Sequence, residues 1–157
     1  MNKIIYRKCK TKKLLPAIRL MSASINHLRR QTGKEPFRWQ INETPPFVVH
    51  LQKTDSDTFY CAYSGDRIVG FAGAIVRGRQ WHLAWLFVHP KYQDKGIGRK
   101  LLDKVWRDGR NMTHSLCTFA FNTQAIGLYS KFGMAPLSSL PWMKADPAKM
   151  KPIKATG

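Results

Sequence analysis

The stretch Leu83–Val105, LAWLFVHPKYQDKGIGRKLLDKV, decides the fold of this chain. It begins with a near-continuous apolar run that ends at Val88, which is typical of a strand covered on both faces. Pro90 stops the run, because proline has no N–H to give to a strand ladder. From Leu101 onward, apolar residues repeat at helical spacing. The stretch therefore predicts a strand, a turn and a helix.

The loop between this strand and this helix contains Gly96 and Gly98. Glycines ahead of a helix let backbone N–H groups converge on an anion, and the helix dipole adds to the attraction. Lys95, Arg99 and Lys100 supply positive charge. Residue types alone thus make this a candidate phosphate-binding loop, with an ordinary glycine-bearing turn as the alternative.

Two well-known phosphate loops do not fit this segment. The pattern GxxxxGK[ST] is absent, and Leu101 occupies the place of the third glycine in G-x-G-x-x-G. The segment Gln93–Gly98 instead has the pattern Gln-x-x-Gly-x-Gly and follows a strand that ends Val-x-Pro. This pattern resembles the acetyl-CoA signature of the GNAT superfamily of N-acetyltransferases.

A second motif supports the resemblance. The segment Asn122–Met134, NTQAIGLYSKFGM, is similar to the GNAT pattern N-x-x-A-x-x-L-Y-x-K-x-G-F, with Met134 in the usual Phe position. It lies after the next predicted strand, Ser115–Phe121. The resemblance covers roughly residues 4–145. It is specific between Leu83 and Met134, and architectural before that.

The remaining pattern predicts an α/β fold with a mixed sheet and flanking helices. The expected elements are a strand at Ile4–Tyr6, a helix with the apolar stripe Leu14–Leu28 ended by Gly33, a short helix near Phe47–Leu51, a hairpin of Phe59–Tyr63 and Ile68–Val76, the central strand and helix ending near Gly109 and Asn111, a helix at Asn122–Phe132, and a last strand near Leu140–Ala145. Gly70 and Gly73, inside a strand, indicate a bulge or a close neighbour.

The resemblance implies a mostly antiparallel GNAT-like sheet with splayed parallel strands. We expect residues 1–145 to form the acetyltransferase domain and residues 146–157 to form a basic tail or linker. For these last residues three interpretations stay open: a tail, an arm that pairs with a partner subunit, for example in a homodimer, or the cut end of a longer protein.

The composition limits the class of protein. A chain of 157 residues with 43% hydrophobic residues is the size of one globular domain. It has no apolar stretch long enough for a membrane span and no secretory signal. Cys9, Cys61 and Cys117 are widely spaced and show no metal-ligand spacing, so we expect reduced thiols, no metal site and a cytoplasmic location.

The charge is strongly positive, with 27 Lys and Arg against 9 Asp and Glu, a net +18. Such a charge attracts polyanions and anionic substrates. Three explanations stay open: nucleic acid or ribosome proximity through the basic N-terminal region, an acidic or phosphate-bearing substrate, or a surface that keeps the protein in solution.

The resemblance implies that acetyl-CoA is the acyl donor and that no metal takes part. Pantetheine would pair with the strand backbone, and a backbone N–H near Leu86 or Phe87 would hold the thioester oxygen. The amides of the loop would cradle the pyrophosphate. The implied cofactor contacts are Leu86, Phe87, Val88, Gln93, Asp94, Lys95, Gly96, Ile97, Gly98, Arg99 and Asn122.

Catalytic roles are also implied by the resemblance. Tyr129 matches the usual general acid that protonates the leaving thiolate, and its alternative is a core tyrosine. Many relatives carry a Glu base where this chain has Ala84. His82 matches the first of a histidine pair in arylalkylamine acetyltransferases, and its alternative is an exposed strand-end histidine, with water as the base. His50 and Glu43 are weaker candidates.

These observations favour an N-acetyltransferase that transfers an acetyl group from acetyl-CoA to a primary amine by direct attack in a ternary complex. Cys61 and Cys117 have no evident activating partner, which argues against a covalent cysteine intermediate. The alternative function is a basic nucleic-acid- or ribosome-associated module of the same fold with little or no catalysis.

Overall fold

A computed structural model of the chain describes residues 3–107 and 111–140. The described strands are β1 (Ile4–Lys8), β2 (Phe59–Ser64), β3 (Arg67–Arg77), β4 (Gln80–Val88) and β5 (Thr113–Leu116). The described α-helices are α1 (Leu14–Gln31), α2 (Pro46–Thr54), α3 (Ile97–Val105) and α4 (Thr123–Ser130). None of these helices is long and apolar enough to cross a membrane.

The strands form one mixed sheet in the order β1-β2-β3-β4-β5. The first three pairings are antiparallel, and β4 pairs with β5 in parallel. One apolar cluster packs α1 and α2 against the sheet, and a second packs α3 and α4 against it. The predicted mixed sheet with flanking helices is therefore confirmed.

The two glycines inside β3 have separate structural reasons. A Cβ at Gly70 would lie 2.8 Å from Leu101 Cδ1, so the absent side chain lets α3 pack directly on the strand. Gly73 lies at a register shift between β3 and β4, where Trp85 and Phe59 crowd it. The pairing of β2 with β3 also shifts beside Gly70, so both predicted explanations, a bulge and a close neighbour, apply to each glycine.

A buried carboxylate joins the start of β2 to the end of β3. Asp55 accepts a hydrogen bond from the Val76 N–H at 3.0 Å and pairs with Arg77 Nη1 at 2.8 Å. The Asp55 side chain is 6% exposed, whereas that of Arg77 is 50% exposed. This contact connects the chain after α2 to the hairpin between β3 and β4.

The predicted end of α3 was wrong, and so was the predicted range of β5. Helix α3 ends at Val105 instead of near Gly109 and Asn111, because Trp106 takes an extended conformation and its ring stacks on His114, 4.1 Å between centroids. Gly109 lies outside the described residues. The predicted strand near Leu140–Ala145, apart from Leu140, and the predicted tail also lie outside them.

Strand β5 is shorter than its predicted range of Ser115–Phe121. It begins at Thr113 and ends at Leu116, because only residues 113–116 pair with residues 80–83 of β4. Beyond that point β4 continues to Val88, whereas the chain after Leu116 leaves the sheet. The two strands therefore separate, and within residues 3–107 and 111–140 no strand pairs with this edge of the second half of β4.

Candidate active site

A cavity of about 840 Å³ opens where β4 and β5 separate. Its walls come from five segments that are far apart in the sequence. They include Ser24, Ile25 and Leu28 of α1, Leu83, Ala84, Leu86, Phe87 and Val88 of β4, Gln93, Asp94, Gly96, Ile97, Gly98 and Arg99 of the loop and α3, Cys117, Thr118 and Phe119 after β5, and Asn122, Leu128 and Tyr129 at α4. The structure thus places every predicted site residue except Lys95 and His82 on this cavity.

The ladder between β3 and β4 decides which main-chain groups of β4 face the cavity. The His89 N–H donates to the Val69 carbonyl at 2.9 Å, and hydrogen-bonded pairs alternate along an antiparallel ladder. By that alternation and the register, Phe87 directs its N–H and C=O toward β3, and Leu86 and Val88 direct theirs toward the open edge. Of the two residues predicted to hold the thioester oxygen, Leu86 is therefore the one whose N–H faces the cavity.

The Val88 carbonyl has partners already. Ser24 Oγ of α1 and Gln93 Nε2 each donate a hydrogen bond to it, both at 3.1 Å. These two contacts fix the end of β4 to α1 and to the loop that follows. Within the part of the chain that the structure describes, the main-chain groups of this edge that remain for a ligand are consequently the Leu86 N–H, the Leu86 C=O and the Val88 N–H.

The first turn of α3 combines a left-handed glycine with uncapped backbone N–H groups. Gly96, its N-cap, has φ +73°, a left-handed conformation that glycine adopts without strain. No side chain caps this end, and its first turn holds no acidic residue. Among the described residues, none accepts a hydrogen bond from the N–H groups of Ile97, Gly98 and Arg99. These donors sit at the positive end of the helix dipole.

Gly98 has no structural requirement for glycine. A Cβ there would meet Leu128 Cδ2 and Val88 Cγ2 at 3.7 Å, which is ordinary van der Waals contact. Its φ lies outside the left-handed region. Because Gly98 lines the cavity, the space that its missing side chain leaves belongs to the cavity.

The side chains of the loop differ in direction. Lys95 Nζ donates to the Lys91 carbonyl at 2.9 Å and lies 5.3 Å from the centre of the Tyr92 ring, and Lys95 does not line the cavity. Asp94 accepts a hydrogen bond from Gln124 Nε2, which ties the loop to α4. Of the three predicted counter-charges, Arg99 is the one on the cavity wall.

Helix α4 contributes the second motif. The Asn122 side chain caps the helix by accepting a hydrogen bond from the Ala125 N–H at 3.3 Å. Tyr129 is 9% exposed, and burial raises the pKa of its phenol to about 12. The phenol is therefore protonated throughout the neutral range, and it is on the wall of the cavity.

The other titratable candidates lie elsewhere. His82 Nδ1 is 3.0 Å from Ser115 Oγ, at the point where β4 and β5 are still paired, and His82 does not line the cavity. His50 and Glu43 do not line it either. Cys61 is fully buried, and its contact with Cys9 and its burial raise the pKa of its thiol, so it is no nucleophile.

Sequence reasoning missed two parts of the cavity wall. One is the face of α1 that includes Ser24 and Ile25, and the other is the segment from Cys117 to Phe119. Ile25 belongs to the apolar stripe of α1, so its pattern is that of a core residue. Among the described residues, there is no group of three or more His, Cys, Asp or Glu side chains that could hold a metal ion.

A model of the acetyltransferase (GNAT) family matches residues 22–134, which is well over half of the chain. The chain therefore belongs to the acetyltransferase (GNAT) family. This membership makes it an acetyltransferase with acetyl-CoA as the acyl donor. No curated protein matches the sequence.

Solved structures with the same fold include PH1933 from Pyrococcus horikoshii OT3, at 28% identity and a TM-score of 0.64, covering 88% of this chain and 93% of that one. The PaiA N-acetyltransferase from Thermoplasma acidophilum, solved in complex with coenzyme A, is 16% identical with a TM-score of 0.61 and coverages of 83% and 88%. Naa50 from Arabidopsis thaliana, solved with the bisubstrate analogue CoA-Ac-MVNAL, is 19% identical with a TM-score of 0.63 and coverages of 92% and 92%. At these identities, the last two show the fold alone.

Proposed function

We propose that the chain is an N-acetyltransferase that transfers the acetyl group of acetyl-CoA to a primary amine by direct attack in a ternary complex. One observation carries the proposal: the free edge of β4 leads to the unpaired amides at the start of α3, along one wall of a single cavity. An elongated ligand with amide groups at one end and phosphates at the other matches both features.

The donor would bind mainly through the main chain. Pantetheine amides would donate a hydrogen bond to the Leu86 C=O and accept one from the Val88 N–H, in place of the strand that β5 does not supply. The pyrophosphate would accept hydrogen bonds from the amides of Ile97, Gly98 and Arg99, with the Arg99 guanidinium adding charge. The PaiA N-acetyltransferase, which has this fold, was solved in complex with coenzyme A, and this supports coenzyme A as the ligand.

The Leu86 N–H would stabilise the reaction by holding the thioester oxygen. When the amine nitrogen bonds to the acetyl carbon, that oxygen becomes negatively charged, and a fixed donor is worth roughly 3–4 kcal/mol in such a site. The direction of this N–H, away from β3 and toward the cavity, supports the assignment.

Tyr129 would act as the general acid. As the C–S bond breaks, the leaving thiolate takes the proton of the phenol, and the phenolate regains a proton from solvent. Burial supports the role, since a pKa of about 12 keeps the phenol protonated at the moment of attack.

The acceptor ammonium must lose a proton before it attacks. We propose His82 as the base. Its ring lies beside Ser115 near the end of the paired region and not on the cavity wall, so it would take the proton through a water molecule. Replacing His82 with Ala should remove one limb of the pH–rate profile. An unchanged profile would assign the step to water alone.

The function is tested by thiol release from acetyl-CoA across panels of amines, amino acids, peptides and aminoglycosides. We expect CoA release that depends on an amine and that follows a sequential kinetic pattern. Binding of acetyl-CoA without transfer to any amine would contradict the proposal. Ping-pong kinetics would contradict the ternary complex and direct attention to Cys117, which is on the cavity wall.

A second candidate function rests on the charge. Among the described residues there are two ion pairs, Lys8–Asp57 and Arg77–Asp55, so most of the basic side chains described have no acidic partner. Exposed Arg7, Lys10 and Lys12 lie near the edge strand β1. A nucleic-acid- or ribosome-associated module would show salt-dependent RNA binding without thioester turnover.

A further inference from the structure

A second cavity, of about 500 Å³, lies next to the cavity between β4 and β5, which we call the donor cavity because acetyl-CoA is proposed to bind there. Its walls are Arg29 at the end of α1, Lys34, Glu35 and Phe37 in the segment after α1, and Phe119 and Phe121 after β5. Phe119 lines both cavities, so the two share a wall. We refer to these six residues as the aromatic-basic cavity.

The cations of this cavity are held on aromatic rings. The Arg29 guanidinium carbon is 4.0 Å from the centre of the Phe37 ring, and Lys34 Nζ is 5.0 Å from the centre of the Phe121 ring. Arg29 Nε also donates to the Glu35 carbonyl at 2.5 Å. Neither cation is ion-paired with a carboxylate among the described residues. Two oriented cations thus remain available to an anionic group.

The same contacts disfavour a cationic ligand at this end. An ammonium group binds to aromatic faces, but Lys34 and Arg29 lie over the faces of Phe121 and Phe37, and both would repel it. The stacked pair of Phe119 and Phe121, 5.0 Å between centroids, offers apolar surface for a linker. The cavity contains two cations and one carboxylate, that of Glu35, so one positive charge is in excess. This excess suits a single anionic group better than a polyanion.

The shared wall relates this cavity to the reacting centre. Cys117, where the donor cavity begins after β5, is two residues from Phe119, at most about 7 Å along an extended chain. Because Phe119 and Cys117 both line the donor cavity, a small molecule held in the aromatic-basic cavity can extend past Phe119 into the donor cavity.

From this arrangement we infer that the acceptor is a small primary amine that carries a carboxylate or phosphate group, bound by Arg29 and Lys34 with its amine directed at the thioester. The inference rests on the proposed function, since it names the acceptor of the same reaction. It also gives a local use to part of the positive charge of the chain.

The test compares matched acceptors that differ in one charge. The pairs are γ-aminobutyrate with its amide, ε-aminocaproate with its amide, and phosphoethanolamine with ethanolamine, each assayed by thiol release at saturating acetyl-CoA. We expect the anionic member of at least one pair to have a KM about tenfold lower or more. The carboxylate and phosphate arms show which anionic group the site takes.

Variants locate the effect. Lys34→Gln and Arg29→Gln should each bring the KM ratio of a pair close to one by raising the KM of the anionic member, while the Kd of acetyl-CoA stays unchanged. Lys34→Arg should keep the preference. Lys53→Gln, an exposed lysine on α2, is the matched control and should change nothing.

Equal KM values within every pair would overturn the inference and leave the proposed function standing. A preference that persists in both Gln variants, or transfer confined to peptide N-termini, would also overturn it. Absence of transfer to any amine by a wild-type protein that binds acetyl-CoA would instead overturn the proposed function, and the inference with it.

Discussion

Replacing Gly98 with Ala should separate ligand binding from folding. The added methyl would make ordinary contacts at 3.7 Å inside the protein and would need no unusual φ, so the fold should accept it. Alanine is favoured over glycine in a helix by up to about 1 kcal/mol. For a chain of 157 residues, that raises the melting temperature by at most about 4 °C.

Binding should change in the opposite direction. The methyl would project into the cavity at the amides that we assign to the pyrophosphate. Losing one hydrogen bond to a charged group costs about 1.5–3 kcal/mol, which weakens the affinity for acetyl-CoA by roughly ten- to a hundredfold. Isothermal titration calorimetry and thermal unfolding of the same sample measure the two quantities.

The control is Gly73→Ala, where the added methyl would lie 3.0 Å from Trp85 and 3.1 Å from Phe59, neither of which lines the cavity. That change should destabilise the fold by about 1–3 kcal/mol and leave the affinity of the folded protein unchanged. An unchanged affinity in Gly98→Ala would refute the assignment of these amides to the phosphates. A lower melting temperature for Gly98→Ala would refute the reasoning about space in the fold.

Two further predictions concern the acid and the buried carboxylate. Tyr129→Phe should lower kcat by about a hundredfold or more and leave the Kd of acetyl-CoA unchanged; equal turnover would remove Tyr129 from the mechanism. Because the pKa of Tyr129 is raised from 10.0 to about 12, wild-type kcat should show no decline from this group below pH 10, and its contribution to stability should be lost as the pH rises from 10 toward 12. Asp55→Ala should lower the free energy of unfolding in urea by about 1–3 kcal/mol, since it removes the buried carboxylate that accepts the hydrogen bond of the part-buried Val76 N–H. Asp57→Ala, which breaks the exposed pair with Lys8, should have a much smaller effect, and an equal effect would contradict the role given to burial.

Much of the fold could be predicted because local patterns coincide with the core. The stripe of α1, the hairpin of β2 and β3, and the glycine loop before α3 all have periodicity or turn residues that a sequence displays directly. The end of β5 could not be predicted in this way. Residues 117–121 are as apolar as a buried strand, and only the absence of a ladder partner on β4 shows that they leave the sheet.

In the candidate site too, local patterns could be predicted from the sequence and contacts between distant segments could not. The loop glycines and the second motif are local patterns of the sequence, and they indicated where the cavity lies. Directions of side chains depend on neighbours from distant segments: Lys95 turns to the Lys91 carbonyl, and Gln93 turns to Val88. The choice of Leu86 over Phe87 depends on the ladder with β3, which no single strand encodes.

The central claim is that acetyl-CoA lies along the free edge of β4 with its phosphates at the start of α3. Titration of ¹⁵N-labelled protein with acetyl-CoA, followed by amide chemical shifts, tests it most directly. We predict the largest changes at the amides of Leu86, Val88, Ile97, Gly98 and Arg99, with smaller changes at Phe87, whose N–H faces β3. Largest shifts confined to other surfaces, such as the basic region near β1, or no shifts at all, would contradict the account.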